Sequence, residues 1–339
     1  MEEVKMEEII KKLLENKNLT ENETYNVFKG IMECKISPVK TAAFLTLLRV
    51  KKESSEEITG AAKLLREKME KITLNKDIIC DTCGTGGDYS GTFNISTTSA
   101  IIASSCGLFV AKHGNRSVTS FCGSADVLEY LGYKIDIEPE KSKEILEKFG
   151  FAFLFAPLYH KAMKNVAEIR KELGFKTIFN IIGPLCNPCF ANYQIMGVNE
   201  YYLLKIIPYV FKNLGIKGYV FHSEDGIDEI TLTGKTYIVE VDEEIKEFEI
   251  YPEDFGLKRC KLDDIKGGSL KDNAEILLKI IKGKEKGAKS DIVYLNTSFL
   301  LKICKFVNSI EEGINLCRDI VKKGIPYRKF NEILEFINK

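Results

Sequence analysis

Over roughly the first seventy positions, apolar residues recur only at helical spacing. Thr20 with Glu23 forms a capping-box pattern ahead of YNVFKGIM, Ser37 and Pro38 open VKTAAFLTLLRV, and Ser54 with Glu57 opens a helix reaching Met69. From Ile78 the pattern changes. Short apolar runs alternate with amphipathic helices, and Gly107, Gly132, Gly150 and Gly174 stand at the helix ends. The runs LFVAKHG and FAFLFAP have no polar face, as strands of a sheet covered on both sides require. EITLTG-KTYIVEV with IKEFEI reads as an antiparallel insertion turned by Gly234, and DNAEILLKIIKG, DIVYLNTSFLLKICKFV and SIEEGINLCRDIVKKG read as helices. The expected fold class is α/β: a small all-helical N-terminal domain, then a larger α/β domain with a mostly parallel central sheet. Residues 1–73 are assigned to the helical domain, joined in space by about 165–190, and residues 74–339 to the α/β domain.

Composition adds constraints. At 339 residues, 45% hydrophobic and 29% charged, the chain has the make-up of an ordinary globular protein of about two domains. Lys plus Arg equals Asp plus Glu at 49 each, so no global field draws nucleic acid or anionic lipid. Any anion must be held locally. The segment MEEVKMEEIIKKLLENKN lacks the apolar core of a secretion signal, and no apolar run approaches the roughly 20 residues of a membrane helix, so a cytoplasmic location is expected. Ten cysteines include the pairs Cys80/Cys83 and Cys186/Cys189. Their separation exceeds zinc-ribbon spacing, and strand alternation would send Cys80 and Cys83 to opposite faces, which favours reduced, mostly buried thiols.

The stretch DTCGTGGDYSGTFNIST, Asp81 to Thr97, joins the end of an apolar strand to a helix. Glycines between a strand and a helix N-terminus bring backbone N–H groups and the positive dipole end to one point, which suits an anion; a plain structural turn is the alternative. The P-loop pattern fails and so does the dinucleotide fingerprint, because Tyr89 stands where each needs glycine. Asn94, Ser96 and Thr97 follow, as helix caps or as ligands. KHGNRSVTS places Lys112, His113, Asn115 and Arg116 just after the next apolar strand, so both loops should open on one crevice at the carboxyl ends of the strands. FHSEDGIDEITLTG supplies Asp225, Asp228 and Glu229, which read either as an acidic turn or as ligands for a hard cation.

GTGGD, NIST, KHGNR, HKAMKNVAEIRKELGFKTIFNIIGPLCNP and DGIDE together resemble the anthranilate phosphoribosyltransferase family, and the likeness runs from AAFLTLLRVKKESSEEITGAA to KSDIVYLN. The resemblance implies Mg2+-dependent transfer of a phosphoribosyl group from phosphoribosyl pyrophosphate to the amine of anthranilate, releasing pyrophosphate, on the route to tryptophan. It also implies a homodimer formed through the helical domain, with no nucleic-acid or membrane partner. Carried over, the family's phosphoribosyl pyrophosphate contacts are Gly84, Gly87, Asp88, Thr92, Asn94, Ile95, Ser96, Thr97, Lys112, His113, Gly114, Asn115, Arg116, Ser117, Val118, Thr119, Ser120 and Ser124. Its anthranilate contacts fall on Gly84, Asn115 and Arg170, and its magnesium ligands on Ser96, Asp228 and Glu229.

The implied chemistry suits these residue types. Pyrophosphate leaves with heavy negative charge, which a divalent ion and loop N–H groups would stabilise. An aromatic amine is already neutral at physiological pH, so positioning outweighs proton abstraction and no catalytic nucleophile is expected. Arg170 can meet a carboxylate with two parallel hydrogen bonds, although its place beside the stripe Ala162, Val166, Ile169 and Leu173 is also that of a solvated surface residue. The sequence departs from the family at Tyr89, where glycine is common, at Lys161, where proline is common, and at Cys186 and Cys189 around GPLxNP. A pyrimidine nucleoside phosphorylase and a non-catalytic nucleic-acid-binding relative are the rival readings. The acidic pair argues against the first and the balanced charge against the second.

Overall fold

The computed structural model describes residues 5–116 and 122–339. It opens with four helices, α1 (Met6–Leu14), α2 (Glu21–Met32), α3 (Pro38–Lys51) and α4 (Ser55–Lys68). Both halves of the Thr20/Glu23 box form: the Thr20 hydroxyl accepts from the Glu23 N–H at 3.2 Å and the Glu23 carboxylate accepts from the Thr20 N–H at 3.0 Å. The Ser54/Glu57 box does more than cap. Glu57 is fully buried, and besides the Ser54 N–H it accepts from the Leu19 N–H and from the Lys51 ammonium, each at 2.9 Å, which ties together the ends of three helices. Gly60 marks the crossing of α4 over α2, where a Cβ would stand 2.3 Å from the Glu21 carbonyl oxygen.

The chain then alternates: β1 (Cys80–Asp81), α5 (Ile95–Ser105), β2 (Val110–Gly114), α6 (Ser124–Tyr130), α7 (Pro139–Phe149), β3 (Phe151–Phe155), α8 (Ala156–Tyr159), α9 (Lys164–Leu173), α10 (Ile178–Ile182), β4 (Tyr193–Gly197), α11 (Ile207–Leu214) and β5 (Lys217–Ser223). The hairpin β6 (Thr236–Val241) and β7 (Ile245–Ile250) follows, then α12 (Leu270–Ile281), α13 (Ala288–Ile303), α14 (Ile310–Lys322) and α15 (Ile325–Ile337). Among the described residues the strands form one sheet in the order β3-β2-β1-β4-β5-β6-β7, parallel from β3 to β5 and antiparallel beyond. The chain walks one way from β1 to β3 and the other way from β4, so the order reverses at β1. A crevice belongs at the carboxyl ends there.

The strands lack a polar face because both faces are covered. Tyr219, Phe221, Ile195 and Ile238 pack with α5, α12 and α13, whereas Val220, Met196 and Val239 pack with α1–α4, α10 and α11. Val166, Ile178, Phe179, Ile182 and Cys186 share that second apolar cluster with the first four helices. Gly150 and Gly174 end α7 and α9 in the left-handed conformation, as their positions suggested.

The expected turn at Gly234 is not where the antiparallel pair reverses. β6 and β7 reverse through residues 242–244 and extend the main sheet from β5, while residues 229–233 form no strand. The hydroxyls of Thr231 and Thr233 donate to the Asp225 carboxylate at 2.8 and 2.5 Å, and the Ile230 N–H donates to the Asn296 side chain. These bonds commit the segment locally and to α13, so it makes no ladder.

Candidate active site

The glycine loop, residues 82–92, leaves β1 toward α5 and is pinned from several directions. The Thr85 N–H donates to the Gly197 carbonyl at 2.9 Å, the Gly86 N–H to the Asp228 carboxylate at 2.6 Å, and the Gln194 amide to the Cys83 carbonyl at 2.9 Å. Gly84 is required by close approach, since a Cβ there would lie 2.9 Å from Asp228 Oδ2 and 3.0 Å from the Gly197 carbonyl. Gly86 and Gly87 have φ of 65° and 70°, the left-handed region that other residues enter at a cost. Tyr89 enters it too, at φ 56°, with its ring exposed.

Asn94 precedes α5, but its side chain does not cap the helix. That place is taken by an acid from far along the chain: Glu229 accepts from the Ser96 N–H at 3.1 Å, at the positive end of the α5 dipole. Asp88 approaches the Asp228 N–H at 3.4 Å, so three carboxylates gather at one point. Burial first, and then the Asp88 charge, push the Asp228 carboxyl up to about 7, and burial with the Asp228 charge holds Glu229 well above the usual carboxylate range. Lys112, itself buried, offsets part of this at Glu229 and donates to the Thr82 carbonyl at 3.2 Å. Buried Glu229 with the half-buried Asp228 and Asp88 forms an oxygen donor set that fits a hard divalent cation. Among the described residues no three His, Cys, Asp or Glu side chains converge into a complete cage, so such an ion would take further ligands from phosphate or water.

Asp81, at the end of β1, organises both loops. Its carboxylate accepts from the Thr82 N–H at 2.7 Å, the His113 N–H at 3.3 Å and the Asn187 side chain at 2.7 Å. Burial raises it to about 6. The imidazole of His113 packs against that of His160 with centroids 5.1 Å apart, and the Nε2 of each lacks a hydrogen-bond partner. Burial pushes both downward, His160 to about 4, so both rings are neutral near pH 7. Gly114 has no room for a side chain, with Ser124 Oγ 2.5 Å from where a Cβ would sit.

A cavity of about 430 Å³ opens between these loops and the helices α9 and α10. Gly84, Gly87, Asp88, Thr92, Asn94, Ile95, Ser96, Thr97, Lys112, His113, Gly114, Asn115, Arg116, Ser124, Arg170, Asp228 and Glu229 all line it. Ser117, Val118, Thr119 and Ser120 lie outside the described residues. Arg116 is at the rim with its guanidinium engaged by Asp126 and Glu129, both at 2.8 Å. Asp225 is turned to its threonines, and His222 Nδ1 donates to the Val198 carbonyl at 2.7 Å, away from the cavity wall. Lys161 pairs with Glu70 at 3.5 Å, so its charge is not at the cavity.

Arg170 leaves the surface reading behind. Its guanidinium lies 5.3 Å from the Phe179 ring inside the cavity, and burial lowers its pKa. Leu65, Pro157, Met163, Phe179 and Pro184 line the same cavity, so its helix side is largely apolar, with Arg170 and Lys176 as its cations. The cavity is therefore bipartite: amides, acids and Lys112 on the strand side, and apolar side chains with the Arg170 guanidinium on the helix side. Such a site can hold a phosphorylated sugar beside a small planar acid. His160, Lys176, Phe179 and Asn180 line it as well, although none was among the site candidates. All four lie in the segment HKAMKNVAEIRKELGFKTIFNIIGPLCNP that carried the family resemblance, which is the signal that could have found them.

Known proteins correspond over nearly the full length. Residues 76–327 match the model of the glycosyl transferase family a/b domain, and residues 7–69 match that of its helical bundle domain. The chain is 48% identical to an anthranilate phosphoribosyltransferase of Acetivibrio thermocellus, covering 98% of this chain and 97% of that protein. It superposes on the anthranilate phosphoribosyltransferase of Thermus thermophilus with a TM-score of 0.92 at 37% identity, covering 97% and 99% of the two chains. The Saccharomyces cerevisiae enzyme in complex with PRPP and Mg gives 0.90 at 29% identity, covering 98% of each chain. Its complex with 4-fluoroanthranilate gives 0.87 at 28%, covering 97% of each. Matched from the first helices to the last, the chain belongs to the anthranilate phosphoribosyltransferase family.

Proposed function

We propose that this chain transfers the phosphoribosyl group of phosphoribosyl pyrophosphate to the amino nitrogen of anthranilate. The observation that carries this reading is the bipartite cavity: the glycine loop and acid pair meet the Arg170 slot within one space of about 430 Å³. The ribose C1–oxygen bond to pyrophosphate breaks, the C1–nitrogen bond forms, and the nitrogen sheds a proton to the released pyrophosphate or to water. The loop N–H groups and Lys112 hold the departing pyrophosphate, with Asp88, Thr92, Asn94, Thr97 and Ser124 around the sugar and its phosphates. Ser96, Asp228 and Glu229 would hold Mg2+, which supplies charge neutralisation to the leaving group when bound. Arg170 grips the anthranilate carboxylate, and Gly84 and Asn115 set the amine beside the sugar, so the chain works by orientation and exclusion of water. The neutral His113 and His160 rings add no positive charge to repel the developing oxocarbenium ion.

Residues 1–73 with about 165–190 act as the helical unit in this reading, closing one wall of the cleft. A homodimer through that unit is supported by Leu14, Val39 and Val50 on the packed pair α1 and α3, exposed by 69, 80 and 77%. The ten free thiols suit a reducing compartment such as the cytoplasm. Mixing the protein with phosphoribosyl pyrophosphate, Mg2+ and anthranilate should consume anthranilate fluorescence at a rate proportional to enzyme and abolished by a chelator. Persistent fluorescence under those conditions would remove the assignment.

A further inference from the structure

Lys176 stands between α9 and α10, where the family resemblance assigned no ligand contact. Its ammonium donates to the Gly87 carbonyl at 2.5 Å, and its stem fills the space a Gly87 Cβ would need, with Cε and Nζ both 2.9 Å from that point. The same ammonium lies 5.1 Å from the centre of the Tyr89 ring. On the adjacent peptide, the Asn199 side-chain amide donates to the Gly86 carbonyl at 2.9 Å and to the Gly87 carbonyl at 3.3 Å. Glu200, next to Asn199 in the chain, is already paired with Arg49 of α3 at 2.8 Å. Two donors from outside the loop thus seize two consecutive carbonyls.

We propose that Lys176, with Asn199, is a positioning residue that sets the polarity of the glycine loop so that its amides face the pyrophosphate. In a planar trans peptide the C=O of one residue and the N–H of the next point in opposite directions. Holding the Gly86 and Gly87 carbonyls on Asn199 and Lys176 therefore turns the N–H groups of Gly87 and Asp88 away from those two side chains, at residues that line the cavity. Neither N–H has a hydrogen-bond partner among the described residues. With φ of 70°, Gly87 could rotate its peptide at little cost, so a cradle built from glycines needs an outside grip to keep one orientation. Because Lys176 follows α9, which carries Arg170, the grip also joins the amide cradle to the element bearing the acceptor's cation.

This inference rests on the phosphoribosyl transfer proposed above. Its test compares Lys176→Met, which keeps the stem and removes the donor, with Lys176→Arg, which restores a donor. Lys176→Met is expected to raise KM for phosphoribosyl pyrophosphate about tenfold or more, as loss of a charged hydrogen bond does, and to leave KM for anthranilate nearly unchanged; Lys176→Arg recovers most of the loss. A normal KM in Lys176→Met, or equal loss for both substrates without rescue by arginine, overturns the proposal. Calorimetric titration with Mg2+ and inorganic pyrophosphate separates this from the functional reading. If the native chain binds pyrophosphate but does not turn over anthranilate, the transfer reading falls, while weaker binding by Lys176→Met still supports the grip. Equal pyrophosphate binding by both, or none by either, overturns the grip itself.

Discussion

Gly197, the last residue of β4, has an ordinary backbone conformation, so nothing about its own torsions demands glycine. What demands it is Asp228: a Cβ on Gly197 would lie 1.9 Å from the Asp228 carbonyl oxygen and 2.4 Å from its carbonyl carbon. Ordinary contact begins near 3.4 Å, so in Gly197→Ala the Asp228 backbone must withdraw by about 1.5 Å, the difference 3.4 − 1.9. Overpacking of this kind costs about 1–3 kcal/mol of stability. The larger effect falls on rate. A misplacement of about 1 Å at a reacting group can cost on the order of 100-fold, because Asp228 also holds the Gly86 N–H and thereby the glycine loop. Gly60→Ala is the matched control, since its Cβ would meet the Glu21 carbonyl oxygen at 2.3 Å in the helix pair α2 and α4, away from the cleft. Initial rates with phosphoribosyl pyrophosphate varied at saturating Mg2+, beside thermal melts, separate the two costs. Both variants should melt several degrees lower, yet only Gly197→Ala should lose roughly 100-fold in kcat/KM. Gly197→Ala with near-normal kcat/KM, or equal rate losses in the two variants, would refute the contact argument.

Arg170→Ala should raise KM for anthranilate by about 10- to 100-fold and barely change that for phosphoribosyl pyrophosphate, with Arg170→Lys in between; steady-state kinetics giving equal losses would remove the carboxylate role. The double change Asp228→Asn, Glu229→Gln should abolish Mg2+-dependent turnover while the far-ultraviolet circular dichroism and melting point hold, because burial already disfavours both charges; full activity would count against the metal assignment. For His160 the folded pKa, about 4, lies below the unfolded value of 6.5, so between these the unfolded chain binds more protons. Stability should therefore rise with pH across that window and be complete above it, by about 3 kcal/mol for this group. Denaturant midpoints at pH 4.5 and 7.5 should converge in His160→Gln relative to the native chain, and an unchanged difference would exclude the buried neutral ring as its source.

Much of the site could be read from the chain because its parts are local. The glycine loop and the acid pair follow strands, the KHGNR segment is the carboxyl end of β2 and the residues just beyond it, and strand ends in an α/β sheet converge. The apolar stripe of α9 misled in one respect: Arg170 lies just off it, and periodicity cannot say whether the neighbouring face meets water or a cleft. Phe179, from a different helix, closes over it. Gly234 looked like the hairpin turn because glycine favours turns, but Thr231 and Thr233 commit their hydroxyls to Asp225 and α13 takes Ile230, so the reversal falls later.

By itself the sequence determined where many of the helices start and stop, which strands are covered on both faces, and that a glycine-rich loop and a pair of acids lie near strand ends. Those features depend on hydrogen bonds and side-chain spacing within a few residues. Only the tertiary structure decided that Gly197 must be bare, that Glu229 replaces a local cap on α5, and that Lys176 grips the Gly87 carbonyl. Each depends on a contact between segments far apart in the chain, where the required residue type is imposed by a neighbour that the local pattern never meets.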